Sequence, residues 1–247
     1  TTSVSDTTKT ITGLTNGTLY YYRISAVDSI GNESSATSDK SALPHDPGGS
    51  YSLSFDGNDN VTLTGISSSD SAGSLSLWVN PTSIYIENIV FQSTEVDLML
   101  ALHETKGVCF RINTTTGPRE ICQSINITDY ENSWSHIVGV YDGSTITIYV
   151  NGTAIGDTTH SGNVSLSSAD VLLFGLNASN NTDGLTGYLD EVAYWNTALS
   201  AAEITALYTS GGFNDISSNS GNYTSAENLL GYWRFAEDTS ATAYDLS

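Results

Sequence analysis

The chain has 247 residues, which is enough for one large β-domain and a second, incomplete unit. Its 27 acidic and 7 basic residues give a formal net charge of −20. A surface of this charge repels phosphate backbones, so neither DNA nor RNA is expected as a partner. No apolar run approaches the roughly 20 residues that a membrane-spanning helix requires. The acidic surface suits cation binding or a salty medium, and solubility alone would also account for it.

Residues 1–43 form the first compositional unit, with three β-like runs. In the longest run, "TLYYYRISAVDS", the side chains of Tyr20, Tyr22 and Ile24 occupy alternate positions and therefore share one face of a strand. Residues 44–50 follow, with two prolines and two glycines, and they are predicted to form a linker.

From residue 51 the chain becomes a succession of short β-like runs, separated by turn residues about every ten positions. This spacing predicts an all-β antiparallel sandwich or barrel. The clearest hairpin is "YDGSTITIYVNG", with Asp142 and Gly143 at the turn. One helix is also predicted, because Ser200 and Glu203 have the spacing of a capping box and Gly211 follows as a stop signal.

Two cysteines, Cys109 and Cys122, flank the turn-rich stretch "NTTTGPRE" between two β-like runs. A disulfide between neighbouring strands is therefore predicted, as is common in exported proteins. An excess of Asn-x-Ser/Thr sequons also favours an exported and glycosylated protein. The sequon asparagines are Asn16, Asn32, Asn60, Asn113, Asn126, Asn151, Asn163, Asn177, Asn180 and Asn222.

The stretch "LTNGTLYYYRISAVDSIGNES" resembles the last strands of a fibronectin type III domain. Leu14, Gly17 and Tyr20 match the spacing of the tyrosine corner in such sandwiches. Only the second half of a domain of this kind fits within residues 1–43, which would leave an apolar face and strand edges without partners. We expect that the chain is cut from a longer protein; the alternative is that a neighbouring subunit supplies the missing strands.

A second resemblance extends over residues 50–212, where four motifs occur in the order of a laminin G-like module of the concanavalin A-like superfamily. The motifs are "SYSLSFDGNDNVTL", "SLSLWVNPT", "WSHIVGVYDGSTITIYVNGTAIG" and "LLFGLNASNNTDGLTGYLDEVAYWNTALSAAEITALYTSG". The resemblance implies a two-sheet antiparallel jelly-roll sandwich with one short helix over residues 51–247. Residues 228–247 resemble the leader strand of such modules, and they are expected to close this sandwich or, alternatively, to open a further module.

The large aromatic side chains divide into two groups. Trp78, Trp134 and Tyr149 lie on alternating strands and are predicted to fill the core. The tyrosines in or beside irregular stretches are better candidates for ligand contact. These tyrosines are Tyr85, Tyr130 and Tyr223.

A catalytic function is not expected, although one stretch resembles a catalytic motif. Jelly-roll glycosidases of the resembled superfamily carry Glu-x-Asp-x-x-Glu or Glu-x-Asp-x-Glu on a strand, and "EVDLML" matches the first half at Glu95 and Asp97. Met99 and Leu100 occupy the positions of the second glutamate, so nothing would protonate the leaving group. Glu95 and Asp97 are therefore expected to face solvent.

A structural calcium site has more support. The turn "FDGNDN" offers Asp56, Asn58 and Asp59, and calcium prefers oxygen ligands of this kind. The resemblance implies a calcium ion near this turn, with help from Asp190 of the "LDE" motif. On a regular strand Asp190 would share the inward face with Val192 and would need a cation or hydrogen-bond donors. The alternative is that Asp190 accepts backbone N–H bonds and Asp56 caps a turn.

Taken together, the resemblances imply a non-catalytic binding or adhesion module, extracellular or at a cell or virion surface, within a larger modular protein. Its partners would be glycans or surface proteins, bound through loops or on one face. The alternative is a structural subunit of an appendage, sheath or virion fibre. In that case the half fibronectin-like domain and the C-terminal "GYWRF" strand would be exchanged between copies of the chain.

Overall fold

The computed structural model describes residues 20–37, 40–42, 52–63, 66–84, 87–95, 97–167, 171–175, 183–209, 215–235 and 245–247. The predicted linker at residues 44–50 and the candidate ligand contact Tyr85 lie outside these residues, as do the sequon asparagines Asn16, Asn177 and Asn180.

The described part of the chain contains strands β1 to β15 and one α-helix, α1. The strands are β1 (Tyr20–Tyr22), β2 (Lys40–Ala42), β3 (Leu53–Asp56), β4 (Val61–Leu63), β5 (Gly73–Ser83), β6 (Asn88–Ser93), β7 (Leu98–His103), β8 (Gly107–Thr114), β9 (Gly117–Gln123), β10 (Ser135–Tyr141), β11 (Thr145–Val150), β12 (Thr153–Thr159), β13 (Leu172–Phe174), β14 (Thr186–Trp195) and β15 (Leu229–Trp233), and the helix is α1 (Ala201–Thr209). Two short 3₁₀ turns cover Ile127–Tyr130 and Ala226–Asn228. None of the described helices is long and apolar enough to cross a membrane.

Two antiparallel sheets make up the sandwich, as the sequence predicts. The seven-stranded sheet has the order β12-β11-β10-β5-β14-β15, and β3 pairs with the first half of β14. The six-stranded sheet has the order β4-β13-β6-β7-β8-β9. β1 and β2 pair with each other in a separate two-stranded sheet. The fold is therefore an all-β jelly-roll sandwich with one short helix.

The main core lies between the two sheets and follows the alternation of the strands. Leu75, Leu77 and Val79 of β5 are fully buried in it. Phe110 of β8 reaches across from the other sheet and lies against Gly139 of β10, where an added Cβ would stand 2.3 Å from the ring. A larger residue than glycine at this point would force the sheets apart.

A second core covers part of the outer face of the seven-stranded sheet, the face that points away from the six-stranded sheet. Trp195 and Tyr232 contribute the largest side chains from the strands, and Ile204 and Leu207 contribute from α1. Residues 215–229 pack over the same region. Among the described residues of this face, Trp134 and Tyr188 lie beyond this cover and are exposed to solvent.

The predicted disulfide joins Cys109 of β8 to Cys122 of β9, which are direct cross-strand partners. Reduction of this bond is expected to lower the free energy of unfolding by about 3 kcal/mol, because it closes a loop of 13 residues in the unfolded chain. Urea unfolding with and without a phosphine reductant measures the difference. The double variant Cys109→Ala/Cys122→Ala is the control, and its unfolding midpoint should be the same with and without the reductant. An unchanged unfolding midpoint on reduction would contradict the expectation.

Candidate functional site

The open part of the outer face begins where the cover of α1 ends. Ser74 of β5 is covered, since its hydroxyl donates to the carbonyl of Thr197 at 2.8 Å and accepts from the N–H of Leu199 at 2.9 Å. Further along β5, Trp78 and Asn80 lie on the same face and are only partly buried. These two positions define the middle of the open surface.

Two rows of side chains cross the sheet at this point. In the first row, Trp78 is paired with Asp190 of β14 on one side and with His136 of β10 on the other. In the second row, Asn80 is paired with Tyr188. Trp134, directly before β10, lies in the same row on the other side of β5, because Ser135 is paired with Val79. Together with Tyr208 of α1, the aromatic residues of these rows form what we call the aromatic strip: Trp78, Trp134, Tyr188 and Tyr208.

The most exposed part of the aromatic strip is the pair Trp134 and Tyr188. Their side chains are 39% and 41% exposed, and their ring centroids lie 6.5 Å apart with planes tilted by 47°. The prediction that Trp134 fills the core is therefore wrong. Ile137 points into the main core, so the alternation of the strand turns Trp134 outward, and the cover provided by α1 does not extend over it.

The buried end of the aromatic strip is a stack of three rings. Trp78 stacks on His136 at a centroid distance of 5.1 Å and on Tyr208 at 5.9 Å. His136 is 1% exposed and shares a hydrogen bond of 2.8 Å with Ser76. Burial lowers the pKa of His136 to about 3, so the ring is neutral at physiological pH. The stack fixes Trp78 against the helix and gives the aromatic strip a rigid base. Trp78 therefore belongs to the outer face and not to the main core.

A bulge in β14 changes which face Asp190 occupies. Leu189 and Val192 both point into the main core, although two residues, Asp190 and Glu191, lie between them. The strand therefore contains one extra residue here, which forms a β-bulge. Glu191 adopts a φ of 50° to allow this. The expectation that Asp190 shares an inward face with Val192 is wrong, because it assumes regular alternation. Asp190 lies instead on the open outer face, beside Trp78.

Beside the strip, Glu191 forms a buried ion pair with Arg234. Arg234 Nε donates to Glu191 Oε1 at 3.0 Å, and the Tyr232 hydroxyl donates to the other carboxylate oxygen. Burial raises the pKa of Glu191 to about 7, and the positive charge of Arg234 opposes this shift. The pair fixes the bulge and with it the position of Asp190.

The candidate calcium ligands are not all brought together. Asp56 is paired with Thr186, four residues before Asp190 on β14, so the two backbones are about 13 Å apart along the strand. Within the turn, Asp56 Oδ1 accepts from the N–H of Asn58, and Asp59 Oδ2 accepts from the N–H of Asp56. A calcium ion at the turn stays a prediction for Asp56, Asn58 and Asp59, without Asp190. The N–H of Glu191 donates to Asp190 Oδ1, which agrees with the alternative that Asp190 accepts backbone N–H bonds.

One group of potential metal ligands occurs among the described residues: Cys109, Glu120 and Cys122. Both sulfurs of this group belong to the disulfide, so they are not thiolate ligands.

Of the three tyrosines predicted to contact a ligand, the structure describes Tyr130 and Tyr223, and neither belongs to the aromatic strip. Tyr223 is 3% exposed and belongs to the second core. Its hydroxyl accepts from Trp195 Nε1 and donates to the carbonyl of Ile216, both at 2.9 Å. Tyr223 is therefore a buried structural residue and not a ligand contact. Tyr130 is partly buried and packs against the main core.

The sequon asparagines that the structure describes fall into two groups. Asn113 and Asn151 are partly buried, and Asn113 Nδ2, the atom that carries an N-linked glycan, donates to Asp97 Oδ1 at 2.8 Å. The other described sequon asparagines are exposed, although Nδ2 of Asn32, Asn126 and Asn163 also donates hydrogen bonds. They are Asn32, Asn60, Asn126, Asn163 and Asn222.

The pair of acidic residues considered for catalysis, Glu95 and Asp97, lies just before β7. Glu95 is exposed, and Asp97 is held by Asn113 as just described. Leu98 and Leu100 point into the main core as expected. Met99, at one of the positions of the second glutamate, is buried, and β7 contains no acidic residue.

Sequence reasoning missed Tyr188, although a signal for it was present. In "GLTGYLDE" the apolar Leu185 and Leu189 are both buried, and Tyr188 stands next to Leu189 on the opposite face. Gly187 lets β14 approach β5 closely at this point, since an added Cβ would lie 2.3 Å from the carbonyl oxygen of Asn80. Strict alternation from Leu189 would have placed Tyr188 on the outer face.

The fold and the site define a jelly-roll β-sandwich with an open aromatic surface on its seven-stranded sheet. The family model of the laminin G type, described as the concanavalin A-like lectin/glucanases superfamily, matches residues 55–205, and the chain belongs to this family. The fibronectin-like character of residues 1–43 stays a prediction. No curated protein matches the sequence.

Two solved structures are similar in fold. A heptameric pentraxin from Limulus polyphemus has 13% identity and a TM-score of 0.52, with 64% of this chain and 81% of that chain covered. A proposed carbohydrate binding protein from Bacteroides ovatus has 14% identity and a TM-score of 0.59, with 94% of this chain and 66% of that chain covered. At such identities the similarity concerns the fold.

Proposed function

We propose that this chain is a non-catalytic module of an exported protein and that it binds glycans on the aromatic strip. The observation that carries the proposal is the pair of Trp134 and Tyr188, two large rings that are exposed side by side on a rigid sheet. Exposed aromatic rings of this size are costly in water and are typical of binding surfaces.

The surface has both components that sugar binding requires. The apolar faces of pyranose rings can pack against exposed aromatic rings such as those of Trp134 and Tyr188, whose centroids lie 6.5 Å apart. Asp190 lies in the first row of the strip and offers carboxylate oxygens as acceptors for sugar hydroxyls. The description of the Bacteroides ovatus protein as carbohydrate binding supports the same reading at the level of the fold.

Two further observations support the non-catalytic and exported character. Asp97, half of the possible catalytic pair, is engaged with Asn113, and β7, which follows the pair, contains no acidic residue. The disulfide between Cys109 and Cys122 favours an oxidising compartment outside the cytosol. A calcium ion at the turn of Asp56 to Asp59, if bound, would have a structural role.

Substitution of the exposed pair tests the proposal. Trp134→Ala and Tyr188→Ala are each expected to weaken binding to the best glycan of an array by about 30-fold, the effect of losing a central aromatic contact. Titration calorimetry with that glycan measures the change. Tyr22→Ala is the matched control, because Tyr22 is a 48% exposed aromatic residue outside the sandwich sheets, and its affinity should equal that of the parent. If Trp134→Ala and Tyr188→Ala bind the glycan as tightly as the parent and Tyr22→Ala do, the proposal is contradicted.

One observation favours a second candidate, the structural subunit. Tyr22, Ile24, Val27 and Ile30 are between 48% and 84% exposed, an apolar surface on the first unit that strand exchange between copies would cover. Light scattering of the purified chain tests this candidate, since strand exchange requires a dimer or polymer. A monomer at high concentration would leave the glycan-binding module as the sole proposal.

A further inference from the structure

The position of Asp190 adds a charge to the aromatic strip. Asp190 is the direct cross-strand partner of Trp78, so their Cβ atoms lie about 5 Å apart. It is two residues from Tyr188 on the same face, or about 7 Å along the strand. The N–H of Glu191 donates to Asp190 Oδ1 at 2.8 Å and orients the carboxylate. A negative charge is therefore fixed beside two aromatic rings.

Such an arrangement suits an organic cation. The faces of aromatic rings carry negative partial charge and attract an ammonium group within about 6 Å of the ring centroid. A carboxylate beside the rings adds a charge-assisted hydrogen bond to the same group. Trp78, Tyr188 and Asp190 together offer both interactions, and Trp134 adds a third ring face next to Tyr188.

The distribution of basic residues points in the same direction. Of those in the described part of the sandwich, Lys106, Arg111 and Arg119 belong to the β7–β9 region of the six-stranded sheet. Arg234 follows β15 in the seven-stranded sheet, and its Nε lies 3.0 Å from Glu191 Oε1. The whole chain carries a net charge of −20. The long-range field of the protein therefore attracts cationic sugars and repels anionic ones.

We infer that the aromatic strip binds a glycan whose sugars carry free amino groups, with the ammonium group held between Asp190 and the rings of Trp78 and Tyr188. This inference rests on the proposed glycan binding and specifies its ligand class. The sugar faces pack on Trp134 and Tyr188, and Asp190 distinguishes an amino sugar from its acetylated form.

A pair of matched ligands tests the inference. The probes are the pentamer of β-1,4-linked glucosamine and the same pentamer with every amine acetylated, titrated at about pH 5.5, where amines and aspartates are both charged. The parent chain is expected to bind the free amine at least about tenfold more tightly, which corresponds to about 1.4 kcal/mol. Asp190→Asn should remove this preference, because asparagine keeps the oxygen that accepts from Glu191 but not the charge.

A matched charge variant separates a specific contact from general attraction to an acidic protein. Glu104→Gln removes the same charge from an exposed turn beside β7, on the other sheet, and should keep the preference in full. Thermal unfolding confirms that both variants are folded. An equal loss in Asp190→Asn and Glu104→Gln would overturn the inference, and so would equal or tighter binding of the acetylated pentamer.

The two proposals fail in distinguishable ways. If the parent chain binds neutral glycans of an array and loses them in Trp134→Ala, but shows no preference for the free amine, the amino-sugar inference falls and glycan binding stands. If neither pentamer binds, the amino-sugar inference falls as well, and binding to the glycan array then tests the proposed glycan binding separately. If both pentamers bind and Trp134→Ala has no effect on either, the aromatic strip is not the site and both proposals fall.

Discussion

Replacement of Arg234 by methionine is expected to lower the free energy of unfolding by about 3 to 5 kcal/mol at about pH 8. This is the cost of removing one partner of a buried ion pair and leaving the other partner buried and charged. Arg234 and Glu191 are 8% and 13% exposed, and their contact is 3.0 Å. Methionine fills much of the space of the arginine stem but leaves the Glu191 carboxylate with the Tyr232 hydroxyl alone. Urea unfolding at constant temperature measures the loss.

The loss in Arg234→Met should depend on pH in a defined direction. Burial raises the pKa of Glu191 to about 7 in the folded chain, from an ordinary value of 4.5, so the folded state binds the proton more tightly than the unfolded state. The contribution of this proton to stability is complete below the ordinary value and disappears as the pH rises through about 7. Without Arg234 the pKa rises further, since the positive charge is gone. The variant should therefore lose less stability at about pH 5, where Glu191 is protonated, than at about pH 8.

A surface arginine provides the control for this experiment. Arg119 is exposed and donates from Nη2 to Thr158 Oγ1 at 3.1 Å. Arg119→Met is expected to change the free energy of unfolding by no more than about 0.5 kcal/mol at either pH. An equal loss in Arg234→Met at both pH values would show that the side chain acts through packing and not through the charge of Glu191.

Local signals in the sequence predicted the parts of the fold that local hydrogen bonds determine. The capping box is present, because the N–H of Ser200 donates to Glu203 Oε2 at 2.9 Å and the N–H of Glu203 donates to Ser200 Oγ at 3.3 Å. The hairpin turn is also as expected, with Asp142 Oδ1 accepting from the N–H groups of Ser144 and Thr145. Both features involve residues within three positions of each other, so a short stretch contains all the information.

The candidate site was harder to predict because it depends on distant residues. Trp134 is exposed because α1 covers only part of the face on which it lies, and the sequence alone does not give the extent of that cover. Asp190 faces outward because one extra residue in the bulge reverses the alternation of β14. Tyr223 occupies an irregular stretch yet is buried by Trp195, which is 28 residues away. In each case tertiary packing decided the environment of the residue.

Replacement of Glu203 by alanine is the second change with a large expected effect, a loss of about 3 kcal/mol or more at neutral pH. Glu203 is 5% exposed, and both of its carboxylate oxygens accept hydrogen bonds. Oε2 accepts from the N–H and hydroxyl of Ser200, and Oε1 accepts from Thr224 and from the Ser225 hydroxyl at 2.6 Å. Alanine would leave these donors without their acceptor and would detach residues 215–229 from α1, which also positions Tyr208 of the aromatic strip.

The loss of stability in this second variant should also grow with pH, as in Arg234→Met, although the pKa shift of Glu203 is opposite in sign to that of Glu191. Burial opposes ionisation of Glu203, but the hydrogen bonds from Ser225 and Ser200 outweigh it and lower the pKa to about 2. The ionised form thus stabilises the fold above the ordinary value of 4.5, and this contribution is lost as the pH falls towards 2. Glu203→Ala should therefore cost more at about pH 7 than at about pH 3 in urea unfolding. Glu227→Ala, an exposed acidic residue of the same segment, is the control. A loss in Glu203→Ala that is no larger than in this control would show that the buried carboxylate does not hold the segment to the helix.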